Sequence, residues 1–491
     1  MKYIFSIILS GMILLAQAQQ SNKLLDGAFW KTNPAADAIK AEVANGANPA
    51  ELNGNSFDPV VMAINAGVAN DGILYLLEQK GNDVNKMTHD SRTYLHWSAS
   101  KGNVAIIKYL LDKGARTDVT DSHGMTPLNF AVGAGQPNLE VYDLLIGKGA
   151  KVKTDLNSDG ANALLLGIGN DPDFKLTEYF ISKGLDLKSK DATGNTAFDY
   201  AARSGNIKVM NLLLSKGVKP TQNAMIMASQ GTRRGANGIA VFKYLDSLGV
   251  KPTATSATGE NVLHSTVRRP GQAELVKYFL SESVNANQAD NEGNTPFMYA
   301  AASGKDTVVL NLLLTKVKNI NQVNKKGMSA LAMAMRSNTV PMIEYLLSKG
   351  ADLQVTDAEG NNVVYYVMQS YSPRSAEEFD AKIKLLAGKG IDFTAPQKDG
   401  STLYHLAVAK NDLVLLKKIE PLHADVNAKN KEGLTPLHKA AMIAKDDSIL
   451  KYLLSIGARR ELTTSFSETA FDLSQENEYL HTRNISTDFL K

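Results

Sequence analysis

Ten glycines recur along this chain at a step of about 33 residues, and that recurrence limits the possible folds more than any other feature. They close apolar, helix-like stretches at Gly46, Gly81, Gly114, Gly149, Gly184, Gly217, Gly249, Gly350, Gly390 and Gly457. The register leaves three further slots, filled by Ser283, Val317 and His423. A helix that must stop and turn needs a left-handed residue, where a side chain costs about 1–2 kcal/mol and glycine costs nothing. Ser283 and Val317 are therefore each expected to cost about 1 kcal/mol in a left-handed position. A period of this length means stacked supersecondary units, not the separate globular domains that length alone suggests.

A second ladder marks where the first helix of each unit begins. Thr126-Pro127-Leu128-Asn129, Thr295-Pro296-Phe297-Met298 and Thr435-Pro436-Leu437-His438 are its clearest members. Thr93-Tyr94-Leu95-His96, Asn261-Val262-Leu263-His264 and Thr402-Leu403-Tyr404-His405 are looser versions. Threonine caps a helix N-terminus well, and proline suits the first helical position because its missing N–H has no partner there. Each unit then reads as turn, short helix, short helix, glycine stop. With this motif at this period, the chain resembles the ankyrin-repeat family from about residue 22 onward. The resemblance implies an all-α repeat solenoid of helix-turn-helix units joined by β-hairpin loops. It implies about 13 repeats, and Glu468-Thr469-Ala470-Phe471-Asp472-Leu473 opens a truncated C-terminal cap.

Splitting the period exposes two irregular repeats. Glycine slot and helix start lie 12 residues apart almost everywhere, but only 5 separate Gly217 from Gln222, so the seventh hairpin is deleted. That repeat regains its length in a loop at 232–238, and the eleventh has a surplus at 370–376. Stability in a solenoid comes from neighbours, so a lost hairpin and two missing glycine stops predict an internal seam near 217–285.

The first 18 residues read as a cleavable leader. Lys2 precedes a 14-residue, mostly apolar run that ends on Ala16-Gln17-Ala18, the small-x-small pattern of a cleavage site. The run is shorter than the roughly 20 residues of a membrane span. Cleavage is expected between Ala18 and Gln19, leaving residues 19–491 as the solenoid. A glutamine after such a site resembles exported proteins of Bacteroidetes-type bacteria, which implies a periplasmic or secreted protein without stable membrane insertion.

Composition excludes several chemistries. Net charge is +3, without the basic field that nucleic-acid binding needs. With no cysteine there are no disulfides, thiolate zinc sites or cysteine nucleophiles. The pairs Gly147/Gly149 and Gly167/Gly169 lack the third glycine and the strand of a dinucleotide loop. His96, His264, His405 and His438 share the fourth position of the helix-start motif, where the family's imidazole ties the turn to the helix. No spacing suits a metal, so no metal, cofactor or catalytic residue is expected.

Two sets of residues are candidates for partner binding. Trp97, Phe130, Tyr200, Tyr299 and Tyr366 follow the histidine slot by one residue and form an aromatic stripe on the first helices. In the family these helices face a concave groove, where aromatics anchor partners. The same slot also serves as half-buried framework between repeats, and both readings stay open. Arg233 and Arg234 in the seventh repeat's loop, with Arg268 and Arg269 one repeat on, could grip carboxylates or phosphates. The alternative for Arg268 is a cation at a helix C-terminus, the slot that Arg203 and Arg336 also hold. Hairpin tips such as Ser122, His123, Asn291, Glu292, Lys325 and Lys326 vary while the frame repeats. The resemblance thus implies a monomeric, non-enzymatic scaffold that binds a protein partner through the groove and the tips. The alternative is an accessory or protective factor for a periplasmic enzyme such as a catalase or peroxidase.

Overall fold

The computed structural model describes residues 22–305 and 307–491. It divides into two compact bodies, Met1–Thr221 and Gln222–Lys491. The predicted leader, with its Ala18/Gln19 cleavage site, lies outside the described residues.

In the N-terminal body each repeat contributes an inner and an outer helix, for example Tyr94–Lys101 with Val104–Asp112 and Pro127–Gly133 with Leu139–Gly147. Inner helices pack on the inner helices of adjacent repeats, and outer on outer. This is how a two-helix unit buries a stripe it cannot bury alone. Tyr94, Tyr142, Phe180 and Phe198 are among the largest fully buried side chains. The C-terminal body repeats the plan from Asn223–Gln230 and Ile239–Ser247 to the short final pair Ala470–Gln475 and Glu478–Thr482.

Helix starts follow the sequence ladder. The Thr126 hydroxyl accepts from Asn129 N–H at 3.3 Å with Pro127 in the first turn, and Asn162 and Ser329 cap their helices in the same way. Helix ends follow the glycine ladder. Gly114 has φ +89° and lets Ala115 N–H reach back to the Leu110 carbonyl at 2.9 Å. Ser283 and His423 take the left-handed conformation too, at φ +62° and +55°.

Val317 corrects the expectation of strain. It is not among the left-handed residues, because a β-branched side chain resists that conformation. Instead the outer helix stops at Leu314, Thr315 and Lys316 form tighter turns on Leu312 and Leu313, and Val317 N–H closes on the Leu313 carbonyl at 3.0 Å. The helix is shortened, and no left-handed cost arises at Val317.

The loops between repeats are tighter than β-hairpins. Only isolated bridges form among the described residues, such as Lys190–Thr196 and Val323–Ser329. Most fingers are five-residue turns held by their first side chain. Asp121 Oδ1 accepts from the N–H groups of His123 and Met125, both at 2.9 Å. Asp191, Asp290, Asn324, Asp357 and Asn430 repeat this arrangement. Tips then join one to the next by a single main-chain bond. In the N-terminal body Ser122 donates to Asp90, Ser158 to His123 and Ala192 to Asp159. In the C-terminal body Asn291 donates to Thr258, Lys325 to Glu292 and Ala358 to Lys326. A glycine at the fourth finger position makes this contact possible: Gly293 has φ +83°, and a Cβ there would sit 2.8 Å from Lys325 N.

The seventh repeat lacks a finger, as its spacing requires, and Thr221 N–H and Oγ1 bind the buried Asp199 carboxylate instead. In the eleventh repeat the surplus is only partly loop. Pro373–Ser375 forms a 3₁₀ turn, and the outer helix Ala376–Gly388 lengthens to 13 residues against 8 or 9 in most other repeats. Lys382 on that helix is 2% exposed and donates to the Met335 carbonyl at 2.8 Å, satisfying an open end of Ala330–Ser337.

Candidate protein-binding surface

The four motif histidines are bolts between repeats. His96 Nδ1 accepts from Thr93 N–H at 3.1 Å, and Nε2–H donates to the Met125 carbonyl of the next finger at 3.1 Å. His264 spans Asn261 and Asn294, His405 spans Thr402 and Leu434, and His438 spans Thr435 and Leu462. This bonding requires the neutral ring. Burial holds His96 down to about 4, and it lowers the other three below the ordinary histidine value. Among the described residues no group of three or more metal-ligating side chains converges.

The aromatic stripe is largely internal. Trp97 is 8% exposed, Tyr200 9% and Tyr366 4%, while Phe130 and Tyr299 are half-buried. Their polar atoms point back to the finger nine residues upstream. Trp97 Nε1 donates to Thr88 Oγ1 at 2.9 Å, and the hydroxyls of Tyr200, Tyr299 and Tyr366 donate to Asp191, Asp290 and Asp357 at 3.0, 2.7 and 2.5 Å. Burial pushes these carboxyls up, but the hydrogen bonds they accept outweigh it and hold them below the usual carboxylate range. Burial, with the facing carboxylates, raises the tyrosines. Phe130 has no hydroxyl, and its finger partner Asp121 is met instead by Arg92 Nε at 2.9 Å. The Arg92 guanidinium is buried and lies 4.3 Å above the Phe130 ring. These contacts place the stripe in the joints between helix and finger.

The arginines divide into two kinds. Arg269 reaches back to the carbonyls of Gln230 and Thr232, at 2.5 and 3.1 Å, and holds the seventh repeat's loop. Arg268 pairs with Glu260 at 2.9 Å and lies 3.8 Å above the Tyr299 ring. Arg233 and Arg234 are exposed at the apex of the loop. Also exposed are the finger-tip side chains Ser122, His123, Asn291, Glu292, Lys325 and Lys326. Phe466, on the last finger, is 83% exposed.

Three features escaped the reading of the sequence. The finger signal Asp-x-x-Gly, seen at Asp121–Gly124, Asp191–Gly194, Asp290–Gly293 and Asp357–Gly360, was visible as a second glycine ladder. Arg92 and Lys382 left no such signal, because their partners are set by packing between repeats.

Matches to known proteins cover most of the chain. The family profile described as "Ankyrin repeats (3 copies)" matches residues 60–155, 137–224, 225–316, 263–357 and 301–397. The single-copy profile "Ankyrin repeat" matches 432–465. The chain is 24% identical over 436 residues to transient receptor potential cation channel subfamily A member 1 of Homo sapiens, covering 86% of this chain and 35% of that protein. It is 23% identical over 380 residues to the E3 ubiquitin-protein ligase KEG of Arabidopsis thaliana, covering 71% and 23%. With the phosphocholine transferase AnkX of Legionella pneumophila it shares 27% over 206 residues, covering 40% and 21%. The chain thus spans about a third or less of the length of these relatives.

Proposed function

The chain belongs to the ankyrin-repeat family, and from that premise we propose that it is an exported scaffold without chemistry of its own, binding a protein partner through its finger tips and adjoining inner helices. One observation carries the reading. Finger backbones are bonded tip to tip, while the side chains they present differ from repeat to repeat: Ser122 and His123, then Asn291 and Glu292, then Lys325 and Lys326. A rigid frame with varied, solvated tips loses little side-chain or backbone freedom on binding beyond the contacts themselves. Export rests on the leader-like residues 1–18. No helix among the described residues is long and apolar enough to cross a membrane.

Photo-crosslinking in the exported fraction tests this. A photoreactive residue at Ser122, Glu292 or Lys326 should trap a discrete partner, and one at the outer-helix position Lys208 should not. Equal trapping at all four positions would refute tip recognition. Recovery of a species with intact mass beginning at Gln19 is expected, and an uncleaved chain would refute export.

A further inference from the structure

Two consecutive repeats of the C-terminal body, the twelfth and thirteenth, are both bolted by a buried histidine. His405 and His438 are 0% and 1% exposed. His405 Nδ1 accepts from Thr402 N–H at 3.0 Å, and its Nε2–H reaches the Leu434 carbonyl of the thirteenth finger at 2.9 Å. His438 spans Thr435 N–H and the Leu462 carbonyl in the same way, at 3.1 and 2.9 Å. Both nitrogens of each ring are therefore committed. A second proton removes the acceptor for a helix-start N–H and leaves a charge inside a joint. In the ninth, tenth and eleventh repeats the same position holds Met298, Ala332 and Tyr365, none of which gains charge in acid. His264 of the eighth repeat is the third such histidine of this body, and its helix Val262–Thr266 packs between Asn223–Gln230 and Pro296–Ser303.

The stretch from Thr402 onward is lightly braced. Among the described residues it has packed repeats on one side only, and on the other the turn Asp488–Leu490 closes over Ala470–Gln475. Four of its backbone turns are left-handed without glycine: Asn411, His423, Ser467 and Asn484, at φ +48°, +55°, +64° and +51°. Each carries a side-chain cost that glycine would not. Next to this stretch the twelfth finger is tied to the eleventh repeat by a side chain, Gln397, which donates to Asn362 Oδ1 at 3.1 Å and accepts from Asn362 N–H at 3.0 Å. On the outer helices Lys418 pairs with the exposed Asp380, a contact that adds little in water. Where stability is a sum over neighbours, a block with a neighbour on one side opens before the blocks behind it.

We propose that residues 402–491 form an acid-opened end of the C-terminal body, detaching as one unit while the ninth to eleventh repeats stay packed. The charges around the two rings are mixed. Asp399 and Asp425 favour a proton on His405, and Lys439 opposes it; Glu468 favours a proton on His438, and Lys429 opposes it. Burial outweighs them and holds both rings below the ordinary histidine value. The unfolded segment therefore binds more protons than the folded one in mild acid. The stabilisation from the two bolts is whole above the ordinary histidine value and is lost as pH falls below it. Hydrogen bonds hold Asp446, Glu461, Asp472 and Asp488 of the same segment below the usual carboxylate range, so these stay ionised at pH 5. Opening takes the exposed tips Lys431, Glu432 and Phe466 out of the finger row and leaves Glu292, Lys325 and Lys326 in place, whatever those tips bind.

Hydrogen exchange of the full chain at pH 7.5 and pH 5, corrected for the intrinsic exchange rate, tests this. Peptides from 402–491 should lose protection about tenfold or more between the two conditions, and peptides from 295–390 should change by less than about twofold. H405N/H438N replaces each ring by an amide that does not titrate, the residue that Asn129 already places in this slot. In that variant 402–491 should follow 295–390. Each single variant should lie between the parent chain and the double variant, so the test survives a double variant that fails to fold. An equal loss of protection across 295–491 would overturn the proposal. So would an acid response of 402–491 that persists in H405N/H438N, or at full size in both single variants.

Discussion

Replacing His96 by asparagine should flatten the acid sensitivity of the N-terminal body, and the size of the effect follows from its bonding. His96 is fully buried with Nδ1 accepting and Nε2–H donating, so a second proton removes the acceptor and leaves a charge in the core. Its value near 4 compares with about 6.5 in an unfolded chain. The unfolded state therefore binds more protons between these limits. The stabilisation is complete above pH 6.5, falls as pH drops, and is exhausted below about pH 4. The full shift is worth about 3 kcal/mol, of which about 2 kcal/mol is lost by pH 5.

Asparagine is the instructive replacement because the fourth repeat already uses it. Asn129 occupies the same slot and donates from Nδ2 to the Asp155 carbonyl at 3.0 Å. The His96→Asn chain should exchange the bond to Met125 for one to the segment just before the next finger, as Asn129 does, and lose the titration. At pH 8 it should be less stable by about 1 kcal/mol, since Thr93 N–H loses its acceptor. Between pH 8 and pH 5 it should lose about 2 kcal/mol less than the parent chain. Denaturant unfolding followed by tryptophan emission is the assay, because both tryptophans, Trp30 and Trp97, lie in the N-terminal body. Other titrating groups cancel in the comparison. Parallel pH profiles for the two chains would refute the reasoning.

Gly293→Ala should cost about 2 kcal/mol in chemical denaturation, from the left-handed backbone and the approach to Lys325 N. Tyr366→Phe keeps the ring but removes the donor to Asp357, and a loss of about 1 kcal/mol is expected in the same measurement. Lys382→Met should lose about 1–2 kcal/mol because the Met335 carbonyl loses its donor, and Lys382→Ala should lose more because it also leaves a void. In hydrogen exchange, residues 217–238 should exchange before repeats three to five, and uniform protection would rule out a seam.

Architecture was legible because two constraints repeat with the period: a left-handed stop and a capped start. Val317 shows where such reading fails. Its place in the ladder was assigned by register, yet the backbone avoided the left-handed turn by ending the helix early. The aromatic stripe was ambiguous for another reason. Its spacing is the same whether a ring lines a groove or a joint, and only the hydroxyl bonds to Asp191, Asp290 and Asp357 separate the two. Arg269 and Arg233 are alike in sequence, but one spans 37 residues to a carbonyl and the other stands in solvent.

The frame itself narrows where recognition can reside. His96, His264 and His405 bridge to the next finger, Trp97, Tyr200, Tyr299 and Tyr366 bond back to their own, and in most repeats the first finger residue holds the turn. A side chain with such duties cannot change to suit a partner without loosening a joint between repeats. At the second and third finger positions the bond that joins one tip to the next is made by the backbone. The loop of the seventh repeat is a turn fixed by Arg269, with Arg233 exposed at its apex. Variation at the tips and in that loop is therefore variation the fold tolerates, whereas exchange of Tyr200 or Tyr366 is variation it resists. A partner that selected among such chains would select at the tips and the loop.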